Sequence, residues 1–107
     1  MRFLIVTNSR EAMPAEMALP AMHGMQAWLA EHRASGKLEH VWSFAGKTGG
    51  GGIANVETHE ELDAMMAGFP FGQTSDIDVY ALADIDTSLD ASIHAISMMM
   101  EAVGASA

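Results

Sequence analysis

Short apolar segments alternate with longer amphipathic ones along the chain. Residues 2–7 form a compact apolar run rich in β-forming side chains, which predicts a buried strand. A segment containing Pro14 and Pro20 follows, and a helical pattern begins near Ala21. The helix is predicted to end at Gly36, because glycine suits a left-handed C-cap.

The middle of the chain predicts two strands and a second helix. Residues 38–45 alternate strongly and residues 53–57 are again β-forming, so the glycine-rich stretch 46–52 is predicted as the loop of a hairpin. Thr58 and Glu61 have the spacing of a capping box, which predicts the start of a helix.

The last third predicts a strand over 76–83 and a final helix that begins near Asp86. Its apolar residues recur at intervals of three and four: Leu89, Ile93, Ile96, Met100 and Val103. The order of elements predicts an α+β, ferredoxin-like split βαβ fold (β-α-β-β-α-β) with an extra C-terminal helix. We expect one domain over 1–107, with the core at 1–86 and the extra helix at 87–107.

The alternation within two strands suggests that both sheet faces are apolar. On the second strand it places Leu38, His40 and Trp42 on one face, and on the fourth it places Asp78 and Tyr80 together. Both strands also carry apolar residues on their other side. The helices cover only one face, so we expect a second copy to cover the other. This predicts a dimeric α+β barrel, a homodimer or higher homo-oligomer.

Composition narrows the possible partners. The chain has 107 residues and a formal net charge of −9, from 5 Lys and Arg against 14 Asp and Glu, which disfavours nucleic acid and acidic membrane surfaces. The absence of cysteine excludes disulfides, zinc fingers and a cysteine nucleophile. No signal peptide or membrane span is predicted, so a cytoplasmic protein is expected. The ten methionines are interpreted mainly as core-filling residues.

Two possible ligand motifs are weak. Residues 46–48 resemble the end of a P-loop, but Val41 stands where that motif requires glycine. The glycine-rich stretch is therefore interpreted as a flexible hairpin loop or a flap beside a ligand pocket. The histidines are scattered without metal-ligand spacing, so no metal site is predicted.

His40 is the strongest candidate for chemistry. If Asp78 and Tyr80 lie on the same side of the sheet, an imidazole, a carboxylate and a phenol converge on one apolar cavity. Such a group can move protons near neutral pH. The alternative is a core histidine that hydrogen-bonds Asp78 or the backbone.

Several elements between residues 36 and 82 carry a family resemblance. They are Gly36, His40-Val41-Trp42, Ala45-Gly46, Val56, Glu60-Glu61-Leu62, Pro70, Asp76-Ile77-Asp78-Val79 and Leu82. In this pattern the chain resembles the muconolactone isomerase family. The resemblance implies a dimeric α+β barrel and an enzyme that shifts the double bond of a five-membered lactone bearing a carboxylate. It implies proton transfer without metal or organic cofactor, and it aligns His40 and Asp78 with family strand positions.

The first helix departs from the family pattern. Where the family carries a glutamate considered catalytic, residues 21–26 read Ala-Met-His-Gly-Met-Gln, so His23 is the candidate replacement base. The predicted substrate contacts are Trp42, Tyr80, Lys47 and Asn55. A carboxylate substrate also needs a local cation, because the net charge repels anions at long range, and the candidates for it are Arg2, Arg10, Lys37 and Lys47.

Three functions remain open at this point. The first is a cofactor-free isomerase acting on a small unsaturated lactone or oxo acid. The second is a cofactor-independent oxygenase or cyclase of the dimeric barrel type. The third is a non-catalytic ligand-binding or assembly domain, which predicts a filled interior instead of an open pocket touched by His40.

Overall fold

The computed structural model describes the backbone of residues 1–106 and the side chains of residues 1–105. The elements are β1 (Arg2–Ser9), α1 (Ala15–Ala34), β2 (Leu38–Ser43), β3 (Gly49–Asn55), α2 (His59–Ala67), β4 (Ser75–Ala81) and α3 (Ile85–Ser106). The predicted α+β order with an added C-terminal helix is confirmed. Ala107, the last residue of the predicted helix, lies outside the described residues.

The four strands form one antiparallel sheet in the order β2-β3-β1-β4. β1 lies at the centre, where Phe3 pairs with Ala54 of β3 and with Ala81 of β4. β2 and β4 are the edge strands. The residues of β2 and β4 are therefore separated by the two central strands.

Helices α1 and α2 cover one face of the sheet. A buried cluster lies on this helix-facing side, formed by Phe3, Ile5, Leu38, Ala54, Val56, Leu62 and Met65. The indole N–H of Trp28 in α1 donates to the carbonyl of Met65 in α2 at 3.1 Å, which ties the two helices together. Within residues 1–106 no element covers the opposite side, here called the open face, which carries Leu4, Val6, Ile53, Trp42 and Tyr80.

The glycine-rich stretch is mainly strand, which corrects the prediction of a loop over 46–52. β3 begins at Gly49 and ends at Asn55, so the predicted strand 53–57 was shifted toward the C-terminus. A Cβ on Gly50 would collide with the carbonyl oxygen of Trp42, and one on Gly52 would lie 2.9 Å from that of His40. Glycine is a poor strand former, so the composition favoured a loop. The strand forms because only a residue without a side chain fits so close to the neighbouring backbone.

Helix α1 begins at Ala15, several residues before the predicted start at Ala21. The amide of Met17 donates to the carbonyl of Pro14 at 2.9 Å and closes the first turn. Pro20 lies inside the helix and removes one backbone hydrogen bond. The prediction began the helix after Pro20, whereas the alanine, methionine, leucine and glutamate residues around this proline are strong helix formers.

The capping box at α2 is confirmed. The Thr58 hydroxyl oxygen accepts the amide of Glu61 at 3.1 Å. The Glu61 carboxylate points back toward the residues before the helix, where it accepts a hydrogen bond from the amide of Glu57 at 3.3 Å. The helix therefore begins where the Thr58–Glu61 spacing predicted.

A register shift in β2 corrects the predicted side-chain faces. The pairing with β3 moves between Leu38, which faces Ala54, and His40, which faces Ile53. Leu38 therefore belongs to the helix-facing side while His40 lies on the open face. A bulge of this kind cannot be read from strict alternation, because it adds one residue to a single strand.

Helix α3 projects from the rest of the molecule. Asp84 caps it: its Oδ2 accepts the amide of Thr87 at 2.9 Å and the hydroxyl of Thr87 at 3.0 Å. Every side chain from Ile85 to Ala105 is exposed, and the molecule measures 71 × 29 × 24 Å. In the described residues 1–106, no helix is both long and apolar enough to cross a membrane.

Candidate functional site

A cleft of about 970 Å³ lies between α1 and the helix-facing side of the sheet. Its walls are apolar and partly aromatic, with Met22, Met25, Trp28 and Leu29 from α1 and Met66, Phe69 and Phe71 from the segment that includes α2. Ile5, Thr7, Gly50 and Gly52 form part of the sheet side. The cleft is open to solvent on one side, so a ligand can enter without displacing an element.

The two glycines of the sheet side help to create the cleft. Gly52 pairs with Ile5 on β1 and with Val41 on β2, and all three belong to the helix-facing side. Gly50 occupies the equivalent position opposite Thr7. Because neither glycine has a side chain, the cleft extends down to the backbone of β3 on the side that faces α1.

One end of the cleft is polar. The amide of Ser9 donates to the carbonyl of Thr48 at 3.0 Å, which holds the end of β1 against the turn between β2 and β3. Glu11 follows in the chain and Lys47 precedes Thr48, and both line the cleft. In the described part of the chain, Glu11 is the one carboxylate and Lys47 one of three cations that line this space.

Two cations of the cleft are available to bind an anion. Three of the five basic residues form ion pairs: Arg2 with Glu39 at 2.8 Å, Arg10 with Asp76 at 3.4 Å and Lys37 with Glu61 at 3.5 Å. Among residues 1–105, Arg33 and Lys47 have no carboxylate within 4.0 Å, and both line the cleft. The pairing leaves a local positive charge in a chain whose net charge is −9.

His40 and Asp78 lie on the open face, as does Tyr80, but the three side chains do not converge within one subunit. His40 faces Ile53, Ile53 faces Leu4, and Leu4 faces Tyr80. Three strand spacings, about 14 Å, therefore separate the two edge strands. Asp78 and His40 are both exposed. Within a single subunit the expected contact between the imidazole, the carboxylate and the phenol is therefore not formed. The catalytic roles of these residues stay predictions.

The other predicted site residues are distributed around the molecule. His23 is exposed on α1 and does not line the cleft, and Asn55 pairs with Arg2 on the open face. Trp42 borders the cleft at the sheet edge, although its indole packs over Gly51 on the open face, 2.9 Å from the position of a Cβ there. With Lys47, Trp42 is one of two predicted residues that reach this space.

Glu11 and Arg33 were missed by the reading of the sequence. Arg33 carried no motif, and its significance depends on which other cations are paired in space. Glu11 follows a buried strand and precedes a helix, a location where functional side chains often lie. That position was a usable signal, but the sequence alone did not show which loop would face a cleft.

The polar end has the groups that a proton transfer requires. A carboxylate can accept a proton from carbon, and nearby cations and hydroxyls can stabilise the negative charge that develops. Thr48 and Ser75 contribute hydroxyls to the same cleft. Within the described residues, no three His, Asp or Glu side chains come together as metal ligands do.

A family profile and a curated relative both point to the same protein family. The profile of the muconolactone delta-isomerase family matches residues 1–87. Muconolactone Delta-isomerase from Acinetobacter baylyi is 31% identical over 71 residues, which span 66% of this chain and 74% of that relative.

Solved structures share the fold. A crystal structure of muconolactone isomerase at 3.3 Å resolution matches with a TM-score of 0.72 and 20% identity, covering 78% of this chain and 90% of that one. The 5-chloro-2-hydroxyhydroquinone dehydrochlorinase from Burkholderia phenoliruptrix AC1100, in complex with 2,5-dihydroxybenzoquinone, matches with a TM-score of 0.63 and 19% identity, covering 81% and 98%. From the matched profile and the Acinetobacter relative, this chain belongs to the muconolactone delta-isomerase family.

Proposed function

We propose that this protein is a cofactor-free isomerase that moves a proton between two carbons of an unsaturated lactone or oxo acid bearing a carboxylate. Family membership supports the reaction class. The observation that carries the proposal is the combination, in one apolar cleft, of the Glu11 carboxylate with the unpaired Lys47 ammonium. A base and a cation for the substrate's carboxylate are thus placed at the same end.

Glu11 is the proposed base. Its carboxylate removes a proton from the ring carbon beside the carbonyl, and the electron pair of that C–H bond moves into an enolate. The protonated Glu11 then returns the proton two carbons away, and the double bond shifts. The same carboxylate accepts and donates the proton, so the cycle is balanced without a co-reactant.

Two further interactions support this assignment. Lys47 binds the substrate carboxylate, since a cation without a protein carboxylate is free to pair with a ligand. The hydroxyls of Thr48 and Ser75 donate to the enolate oxygen from the same end of the cleft. Glu11, Lys47 and Thr48 are exposed in the unliganded protein, so these interactions strengthen when a bound ligand displaces the water around them.

The proposal is tested by deuterium uptake. The protein is incubated in heavy water with a panel of unsaturated lactones bearing a carboxylate, and incorporation at the two ring carbons is followed by NMR. We expect enzyme-dependent uptake by at least one lactone. Binding without uptake supports a non-catalytic ligand-binding domain, and turnover that requires dissolved oxygen supports an oxygenase. Either result rejects the isomerase.

The fold neighbour that acts as a dehydrochlorinase indicates why the panel needs several substrates. The name of that protein gives a chlorinated hydroquinone as its substrate, so one fold serves more than one reaction. Release of chloride from a chlorinated lactone, with no deuterium uptake by the unchlorinated one, would assign elimination instead of isomerisation to this cleft.

We also propose that the protein assembles as a homo-oligomer. The open face of the sheet and the apolar stripe of α3 are both uncovered within residues 1–105. A second copy presents the same two surfaces, so a twofold arrangement can bury both at once.

A further inference from the structure

The cleft is much larger than a monocyclic lactone requires. Its volume of about 970 Å³ is at the upper end of the roughly 300–1,000 Å³ found for pockets that take drug-sized molecules. A five-membered lactone with a carboxylate side chain has about ten non-hydrogen atoms, far fewer than such molecules. A ligand of that size leaves most of the apolar wall in contact with water.

The extra space lies above the glycine backbone of β3. Gly50 and Gly52 leave this part of β3 without side chains on the helix-facing side. The neighbouring strands hold this arrangement, because a Cβ on Gly52 would lie 2.9 Å from the His40 carbonyl oxygen. The space is therefore a fixed feature of the sheet and not an accident of one side-chain rotamer.

The cleft is also long. Arg33 lies in the last turn of α1, just before β2 begins, and Lys47 follows the end of β2. Both line the cleft, so it extends along β2, roughly 20 Å for six residues at about 3.3 Å each. Charge is confined to the two ends, and the wall between them is apolar.

The wall suits an extended apolar body. Trp28 and Phe69 pack edge to face with their ring centroids 5.3 Å apart, which gives an aromatic surface next to the glycine backbone. Met22 and Met25 line the α1 side, and their flexible thioethers adapt to ligands of different outline.

We propose that the natural ligand is an anion whose apolar body is larger than a single ring and lies along this cleft from Lys47 toward Arg33. The chemical class is a carboxylate lactone or oxo acid with fused or linked rings. This inference rests on the proposed function for the reactive end of the molecule, and it adds the part of the ligand that does not react.

Calorimetric titration with benzoate, 2-naphthoate and anthracene-2-carboxylate tests the ligand class without requiring turnover. We expect Kd to fall roughly tenfold per added ring, because each ring removes further apolar surface from water. Naphthalene-2-carboxamide should bind at least tenfold more weakly than 2-naphthoate, since it lacks the charge. Equal Kd values for benzoate and anthracene-2-carboxylate, or for the amide and the acid, overturn the proposal.

A pair of variants localises the effect to the cleft. Met25→Trp fills the apolar wall and is expected to abolish the gain from added rings while benzoate binding is kept. Gln26→Trp adds the same bulk at an exposed neighbour that does not line the cleft, and should keep the gain. An undiminished gain in Met25→Trp, with circular dichroism showing a folded protein, rejects this location. Graded binding without deuterium uptake would reject the reaction and leave the ligand class intact.

Discussion

Lys47 and Arg33 differ from the other basic residues because neither has a carboxylate partner in the described chain. The sequence shows five basic residues against fourteen acidic ones, which suggests that every cation should be neutralised. Pairing in space leaves two of them free, and both line the cleft. The function of a charged side chain therefore depends on its neighbours more than on the net charge of the chain.

Replacing Lys47 by glutamine should raise KM for a carboxylate lactone about tenfold, because a charge-assisted hydrogen bond contributes roughly 1.5–3 kcal/mol. The effect on kcat should be small, since the carboxylate is bound in both the ground and transition states. Steady-state kinetics measure both values. Lys37→Gln is the matched control, because Lys37 pairs with Glu61 outside the cleft. An unchanged KM in Lys47→Gln contradicts the assignment.

Only some of the site residues could be predicted from the sequence. Lys47 and Trp42 were predicted as substrate contacts and they border the cleft. His40 and Asp78 lie on the same side of the sheet, as the hypothesis required, but on its two edge strands, so they do not meet within one subunit. Strand order is a long-range property, and alternation within one strand contains no information about it.

The elements that local chemistry specifies were predicted well. The Thr58–Glu61 spacing located the start of α2, and the apolar intervals of α3 located that helix. Pro20 and the glycines of β3 misled the prediction, because intrinsic propensity was overridden by neighbouring helix formers in one case and by strand packing in the other.

The Asp84 cap stabilises the N-terminus of α3 in a pH-dependent way. The backbone amide of Thr87, followed by its hydroxyl, donates to the Asp84 carboxylate and lowers its pKa below the ordinary value. A lowered pKa in the folded state means that the charged cap stabilises the helix above the pKa of the unfolded chain. The contribution is lost as pH falls through the lower, folded pKa.

We expect acidification through that range to reduce the helical Cα chemical shifts of residues 85–88 in wild type. Asp84→Ala should show the reduced shifts already at neutral pH. Asp84→Asn keeps an acceptor that does not titrate, so its shifts should hardly depend on pH in this range. NMR spectra of Asp84→Ala that match wild type at pH 7 would falsify the cap's role.

The whole molecule is unusually extended for its length. Its radius of gyration is 19.7 Å, compared with about 13 Å for a compact chain of 107 residues. The difference reflects α3, whose apolar stripe is exposed, including Ile93 at 61% and Ile96 at 58%.

A stripe about 100° wide along a 33 Å helix presents roughly 300 Å², and the open face of the sheet adds roughly 400 Å². Together they approach the roughly 800 Å² per partner of a standard interface.

Association through α3 is therefore expected in solution. Wild type should sediment as a dimer or larger species, and Ile96→Asp should weaken association at least tenfold by placing a charge in the stripe. Ser97→Asp adds the same charge outside the stripe and should leave the mass unchanged. Analytical ultracentrifugation measures all three, and a monomeric wild type at micromolar concentration rules out the assembly.

Glu11 in the cleft, and not His40 on the open face, is the residue that we propose transfers the proton. Deuterium uptake from heavy water into an unsaturated carboxylate lactone compares Glu11→Gln, which removes the base in the cleft, with His40→Gln on the open face. We predict that uptake falls at least a hundredfold in Glu11→Gln, as expected for loss of a general base, and stays near wild type in His40→Gln. Full uptake in Glu11→Gln together with loss in His40→Gln would contradict this assignment and place the reaction on the open face.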